Sequence, residues 1–173
     1  ADRVDDKVKF TDEALKTVLA VPRVFLPLVL KGCVDWAKEN NVEMILAVGG
    51  GSVLDSSKYT ATGAKYDGDV WDFYEGKAVP AACLPLGCVL TIAAAGSEMS
   101  ASSVISNEEG WKKRGVNSDL CRARFAIMNP ELTYTLPAYQ TASGCVDILY
   151  HTIERYFSGG ETVEPTDYMA EGL

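Results

Sequence analysis

A short, largely apolar run from Val42 to Val48 leads directly into Gly49-Gly50-Gly51-Ser52, and a helical pattern over Ser52–Ala64 follows at once. No other feature limits the fold as much. A buried strand that turns through glycines into a helix is the building unit of a parallel α/β layer. The stretch Pro27–Asn40 reads as a helix stopped by Asn40-Asn41, so the unit extends to helix–strand–Gly loop–helix. A second buried strand is expected over Leu84–Ile92, with shorter strands over Ser102–Ser106 and Arg124–Met128. The polar segment Asn107–Arg122 reads as an exposed loop. Leu15, Val18 and Leu19 suggest a short helix over residues 10–20.

The pattern changes at Pro137. Val146, Leu149, Tyr150, Ile153 and Tyr156 recur at helical spacing, which predicts a helix over Pro137–Phe157 with Thr135 as its cap. Gly144 weakens that helix by about 1 kcal/mol relative to alanine, which suggests that something approaches it closely. A last helix is expected from Pro165-Thr166-Asp167. No terminating signal precedes Leu173, so the chain reads as truncated.

Charge excludes one class of partner. Lys and Arg number 16 against 24 Asp and Glu, a net charge of −8, and no basic stripe is present to neutralise phosphates. Nucleic acid is therefore not an expected partner. No apolar run approaches the roughly 20 residues that span a bilayer, and no signal peptide is visible. Cys33, Cys83, Cys88, Cys121 and Cys145 form no C-x-x-C pair and read as buried free thiols in a reducing, cytoplasmic setting.

Two residue groups carry chemistry. At the Gly49–Ser52 turn, N–H groups at a helix N-terminus suit a phosphate, and glycines let the backbone approach it closely. Asp55 complements the helix dipole and is placed to brace the loop. The letters match neither G-x-G-x-x-G nor a Walker loop, so a ligand-free turn stays open. The second group is Asp147 and His151, four apart and on one helix face. They supply half of a divalent-metal site, although on residues alone a plain Asp–His contact is the preferred reading. His151 is the sole histidine.

Ala47-Val48-Gly49-Gly50-Gly51-Ser52-Val53-Leu54-Asp55 and Leu90-Thr91-Ile92-Ala93-Ala94-Ala95-Gly96-Ser97-Glu98 resemble the two nucleotide-binding signatures of iron-containing alcohol dehydrogenases. Asn129–Pro137 resembles the lead into that family's metal-bearing helix, and Gly144–His151 the start of its metal site. Tyr66–Phe73 resembles the butanol-dehydrogenase branch. The resemblance implies a Rossmann-like parallel-sheet α/β domain over 1–136. It implies that 137–173 begin an all-α metal-binding domain, the architecture shared with dehydroquinate synthase.

It further implies cofactor contacts by Gly50, Gly51, Ser52, Asp55, Thr91, Lys113 and Leu132. Asp147 and His151 become two of four ligands to Fe2+ or Zn2+. The implied activity is NAD(P)(H)-dependent conversion between primary alcohols and aldehydes, carried out by a homodimer of the full-length protein. A chain ending at Leu173 is expected to be inactive by itself. Ala95 stands where the family usually has threonine, which implies one hydroxyl contact fewer to the nucleotide. Residues 1 to about 22 do not match the family's opening strands. Two alternatives remain at this stage: a zinc enzyme of the glycerol-dehydrogenase or dehydroquinate-synthase type, and a non-catalytic dinucleotide-binding module.

Overall fold

A computed structural model describes residues 26–158 and 164–172. The helix expected over residues 10–20 lies outside them. Helix α1 spans Leu26–Glu39, and Asn41, in a left-handed conformation at φ 49°, ends it where the two asparagines predict. Strand β1 (Ile45–Gly49) follows, then the long helix α2 (Gly51–Gly63) and one short turn of helix, α3 (Trp71–Tyr74). Strand β2 (Leu86–Leu90) and strand β5 (Phe125–Ile127) complete a parallel sheet in the order β1-β2-β5. Its register pairs Ala47 with Cys88 and Cys88 with Ala126. The parallel α/β layer is therefore as expected, with β1 and β2 each shorter than the sequence suggests.

The segment Asn107–Arg122 departs from its expected loop. Strand β3 (Ser102–Asn107) pairs antiparallel with β4 (Lys112–Asn117) across a turn at Gly110, where φ is 80°. The sequence of β4, Lys-Lys-Arg-Gly-Val-Asn, has no apolar alternation because nearly every position is exposed. The backbone ladder forms the strand, and that ladder leaves no trace in hydrophobic pattern.

Helix α4 runs over Ala138–Tyr156, and α5 over Glu164–Glu171. Pro137 itself occupies the cap position of α4, with no side-chain cap bond, so the capping role expected of Thr135 is not found. The close approach expected at Gly144 is not found: a methyl group placed there would lie 3.8 Å from its nearest neighbour, the carbonyl of Ala93. That distance is ordinary contact. Of the thiols, Cys88 and Cys121 are buried and Cys83 is half-buried, whereas Cys33 and Cys145 are exposed. The two exposed cysteines lie on α1 and α4. No helix among the described residues is long and apolar enough to cross a membrane.

Two apolar cores flank α2. Ala47, Leu54, Leu86, Cys88 and Leu90 pack between the helix and the sheet. Leu30, Val34, Tyr59, Val70, Phe73, Tyr74 and Ile105 pack on the other side, with the Tyr59 and Tyr74 rings 5.8 Å apart. At Gly63 a methyl group would lie 2.4 Å from Val70 Cγ2, so glycine permits this helix–loop approach.

Burial pushes the Tyr59 phenol up from 10.0 to about 12, and raises Tyr74 as well. The unfolded chain thus releases these protons at a lower pH than the folded one. Stability from Tyr59 is complete below pH 10 and lost as pH rises to about 12. Urea midpoints measured across that window should fall steadily, and less steeply in Tyr59→Phe. An equal slope in the variant would remove Tyr59 as the cause.

Candidate nucleotide and metal site

Gly50 is the N-cap of α2 in an extended conformation, and its carbonyl accepts from Val53 and Leu54 N–H at 3.1 Å each. The first-turn amides of Gly51 and Ser52 lie too early in the helix to find an intrahelical acceptor, so they face outward with the positive end of the dipole. An anion can approach here because the glycines carry no side chain. Ser52 is exposed beside them.

The second signature folds against this turn. Thr91 N–H donates to Gly49 O at 3.1 Å, extending the sheet contact past β2. A methyl group at Gly50 would lie 2.6 Å from Ile92 Cγ2, and one at Gly51 2.9 Å from the Ala95 Cβ. The 91–97 segment thus forms one wall of the glycine turn, with Thr91 half-buried and Ala93 to Gly96 exposed. A methyl group placed on Gly144 of α4, one helical turn before Asp147, would lie 3.8 Å from the Ala93 carbonyl oxygen, so the same segment passes beside that helix.

A buried polar network supports that wall from below. Asp55 Oδ1 accepts from Ser97 Oγ at 2.8 Å, and Oδ2 accepts from Val104 N–H at 3.0 Å. Of the two duties suggested for Asp55, bracing is the one with visible partners. Lys58 is 0% exposed, and its ammonium donates to Ser100 O at 3.0 Å, Ser102 O at 2.6 Å and Ser100 Oγ at 3.3 Å. Asp55 lies 4.0 Å from it, and Ser103 Oγ donates to Asp55 O at 2.9 Å while bonding to Tyr74 Oη at 2.7 Å. Burial lowers the Lys58 pKa, and the Asp55 carboxylate opposes that shift.

Sequence reasoning missed Lys58. Its only signal is the i,i+3 spacing from Asp55, which on a solvated helix would mean a weak surface pair.

Lys113 is exposed on β4 opposite Ser106, on the hairpin that Lys58 and Asp55 tie to α2. Leu132 is exposed in the 3-10 turn Pro130–Thr133, where Asn129 Oδ1 accepts from Glu131 N–H at 3.0 Å. On α4, Asp147 Oδ1 and His151 Nε2 are 3.5 Å apart, with side chains 61% and 63% exposed. One carboxylate oxygen and one imidazole nitrogen, adjacent and open to solvent, fit two sides of a divalent ion. Among the described residues no third His, Cys, Asp or Glu joins them.

A sequence model described as iron-containing alcohol dehydrogenase matches residues 27–130. The chain belongs to the iron-containing alcohol dehydrogenases. Within that family, NADH-dependent butanol dehydrogenase A of Clostridium acetobutylicum is 43% identical over 152 residues, covering 88% of this chain and 39% of its own length. The NADPH-dependent aldehyde reductase YqhD of Escherichia coli is 40% identical over 148 residues, covering 83% and 38% respectively. The crystal structure of NADH-dependent butanol dehydrogenase A from Thermotoga maritima superposes with a TM-score of 0.77 at 43% identity. That match covers 83% of this chain and 36% of the other. The chain thus spans about two fifths of the length of such relatives.

Proposed function

We propose that this chain is the nucleotide-binding part of a metal-dependent alcohol dehydrogenase or aldehyde reductase. The enzyme transfers a hydride between NAD(P)(H) and a primary alcohol or aldehyde such as butanol or butanal. The observation that carries the reading is the placing of segment 91–97, which walls the glycine turn on one side and passes beside the helix of Asp147 and His151 on the other. One segment thus lies beside both a turn suited to a dinucleotide's phosphates and a helix suited to a cation. Relatives named as butanol dehydrogenases and aldehyde reductases support the substrate class.

In this reading the amides of Gly51 and Ser52, with Gly50 giving access, hold the pyrophosphate. Thr91 lines the nucleotide groove, Leu132 lies beside the nucleotide, and Lys113 reaches toward its ribose. Asp55 keeps Ser97 and the hairpin in place beneath them. Asp147 and His151 hold Fe2+ or Zn2+. A divalent ion there supplies Lewis-acid polarisation of the substrate oxygen, and the nicotinamide supplies or accepts the hydride. No side chain of this chain is assigned as general base. Ala95, lacking a hydroxyl, binds the nucleotide somewhat more weakly than a threonine would.

We further place the domain boundary near Pro137, dividing 1–136 from 137–173. The full-length protein is assigned as a cytoplasmic homodimer.

The test uses full-length protein. Wild type should consume NADH or NADPH with butanal, while Asp147→Ala should lose most of its metal by elemental analysis. Dinucleotide binding, followed by nicotinamide fluorescence, should persist in that variant because the glycine turn is untouched. Unchanged metal content in Asp147→Ala would overturn the metal assignment. Absence of dinucleotide binding in the wild type would overturn the whole reading.

A further inference from the structure

We propose that Lys58 is a positioning residue for the dinucleotide: by balancing the Asp55 carboxylate, its buried ammonium keeps the positive end of α2 free to receive the phosphates. The inference rests on the reading of the Gly49–Ser52 turn as the phosphate site. Asp55 stands four residues after Gly51 on the same helix, about 6 Å along its axis. It is 8% exposed and fixed in place, accepting from Ser97 Oγ at 2.8 Å and from Val104 N–H at 3.0 Å. An unbalanced negative charge there would occupy the field of the helix dipole and repel an incoming anion.

The balancing charge is held just behind that carboxylate. Lys58 Nζ lies 4.0 Å from Asp55 Oδ1, and the lysine is 0% exposed. Its three acceptors are Ser100 O at 3.0 Å, Ser102 O at 2.6 Å and Ser100 Oγ at 3.3 Å, which match the three N–H bonds of an ammonium. Burial lowers the Lys58 pKa, and the Asp55 carboxylate is the largest influence in the other direction. Lys58 follows Gly51 by seven residues, roughly 10 Å along the helix. Buried at that depth and engaged by Ser100 and Ser102, its ammonium does not touch a phosphate at the first-turn amides. It acts on the ligand through Asp55.

The competing role is a plain brace. Ser100 N–H donates to Gly96 O at 3.0 Å and Ser97 Oγ donates to Asp55, so Asp55 and Lys58 hold the Gly96–Ser100 turn at both ends. The two roles differ in sign. If the pair only braces the wall, loss of either member loosens the turn and weakens binding. As a charge pair they act in opposite directions: removing the cation weakens binding, and removing the anion does not. At an effective dielectric of about 20, an unbalanced charge roughly 8 Å from a phosphate changes affinity by about tenfold or more. Asparagine at position 55 isolates the charge, because its oxygen can accept from Val104 N–H while its amide donates to Ser97 Oγ.

The test titrates full-length wild type, Asp55→Asn, Lys58→Met and the double variant with NADH and with NADPH, read by nicotinamide fluorescence. Circular dichroism establishes that each protein is folded under the conditions used. Lys58→Met should bind about tenfold or more weakly than wild type. Asp55→Asn should bind at least as tightly as wild type, and the double variant should return to within about threefold of it. Binding in Asp55→Asn weaker than wild type by more than about threefold would overturn the proposal and leave the pair as a brace. A double variant no better than Lys58→Met would overturn it equally. If Lys58→Met does not fold, Asp55→Asn decides alone by the same criterion. Failure of wild type to bind either dinucleotide would overturn the phosphate reading of the turn, and this inference with it.

Discussion

Lys58→Met in the full-length protein is expected to lower unfolding stability by about 3 kcal/mol or more. Methionine fills much of the lysine volume, so the loss does not come from an empty cavity. It comes from the acceptors left behind: the carbonyls of Ser100 and Ser102 and the Ser100 hydroxyl, all served by one ammonium. Asp55 also loses the cation 4.0 Å away, although it keeps Ser97 and the Val104 amide. A buried acceptor without a partner forfeits its hydration and receives nothing in return. Urea unfolding followed by circular dichroism reads the effect directly. A midpoint equal to that of wild type would mean that Lys58 is a passive filler and that the hairpin is held by other contacts.

Gly50→Ala is expected to weaken dinucleotide binding by roughly tenfold to a hundredfold and to lower stability by about 1–3 kcal/mol. The added methyl would lie 2.6 Å from Ile92 Cγ2, a branched methyl with little freedom to swing away. Relieving such overpacking takes about 1–3 kcal/mol of local displacement, and each 1.4 kcal/mol withheld from binding is tenfold in affinity. The displacement falls on the wall facing the Gly51 and Ser52 amides, which is why binding suffers as well as folding. Titration of nicotinamide fluorescence on full-length protein measures it. Wild-type affinity in Gly50→Ala would show that Ile92 yields freely and that the wall is not a fixed part of the site.

The strand–glycine–helix unit was legible in sequence because a buried parallel strand must be apolar and its exit turn must lack side chains. Ile45–Gly49 is apolar and leaves through glycines, although Leu46 and Val48 stay half exposed, whereas Leu86–Leu90 is apolar and buried but leaves through Thr91-Ile92. The Asp147–His151 pair was legible for a different reason, since spacing of four fixes helical neighbours whatever surrounds them. Strand β4 was not legible. Its residues face water on nearly every position, and its pairing is a property of the backbone.

Lys58 was not legible either, because its acceptors come from residues 42 and 44 positions later in the chain. No local pattern reports that two carbonyls from a distant turn converge on one helix face. Thr135 failed as a cap because Pro137, with its fixed φ and missing N–H, already begins the helix without a side-chain partner.

Segment 91–97 has one more consequence, which concerns tolerance in its length. Its Ile92 and Ala95 bear on the glycine turn, and its Ala93 passes beside Gly144. On the proposed reading, the distance between the bound nicotinamide and the cation is therefore gauged by one short piece of chain. Inserting or deleting a residue there would not disturb two sites separately. It would change the spacing between them, which neither the glycine turn nor helix α4 can correct alone.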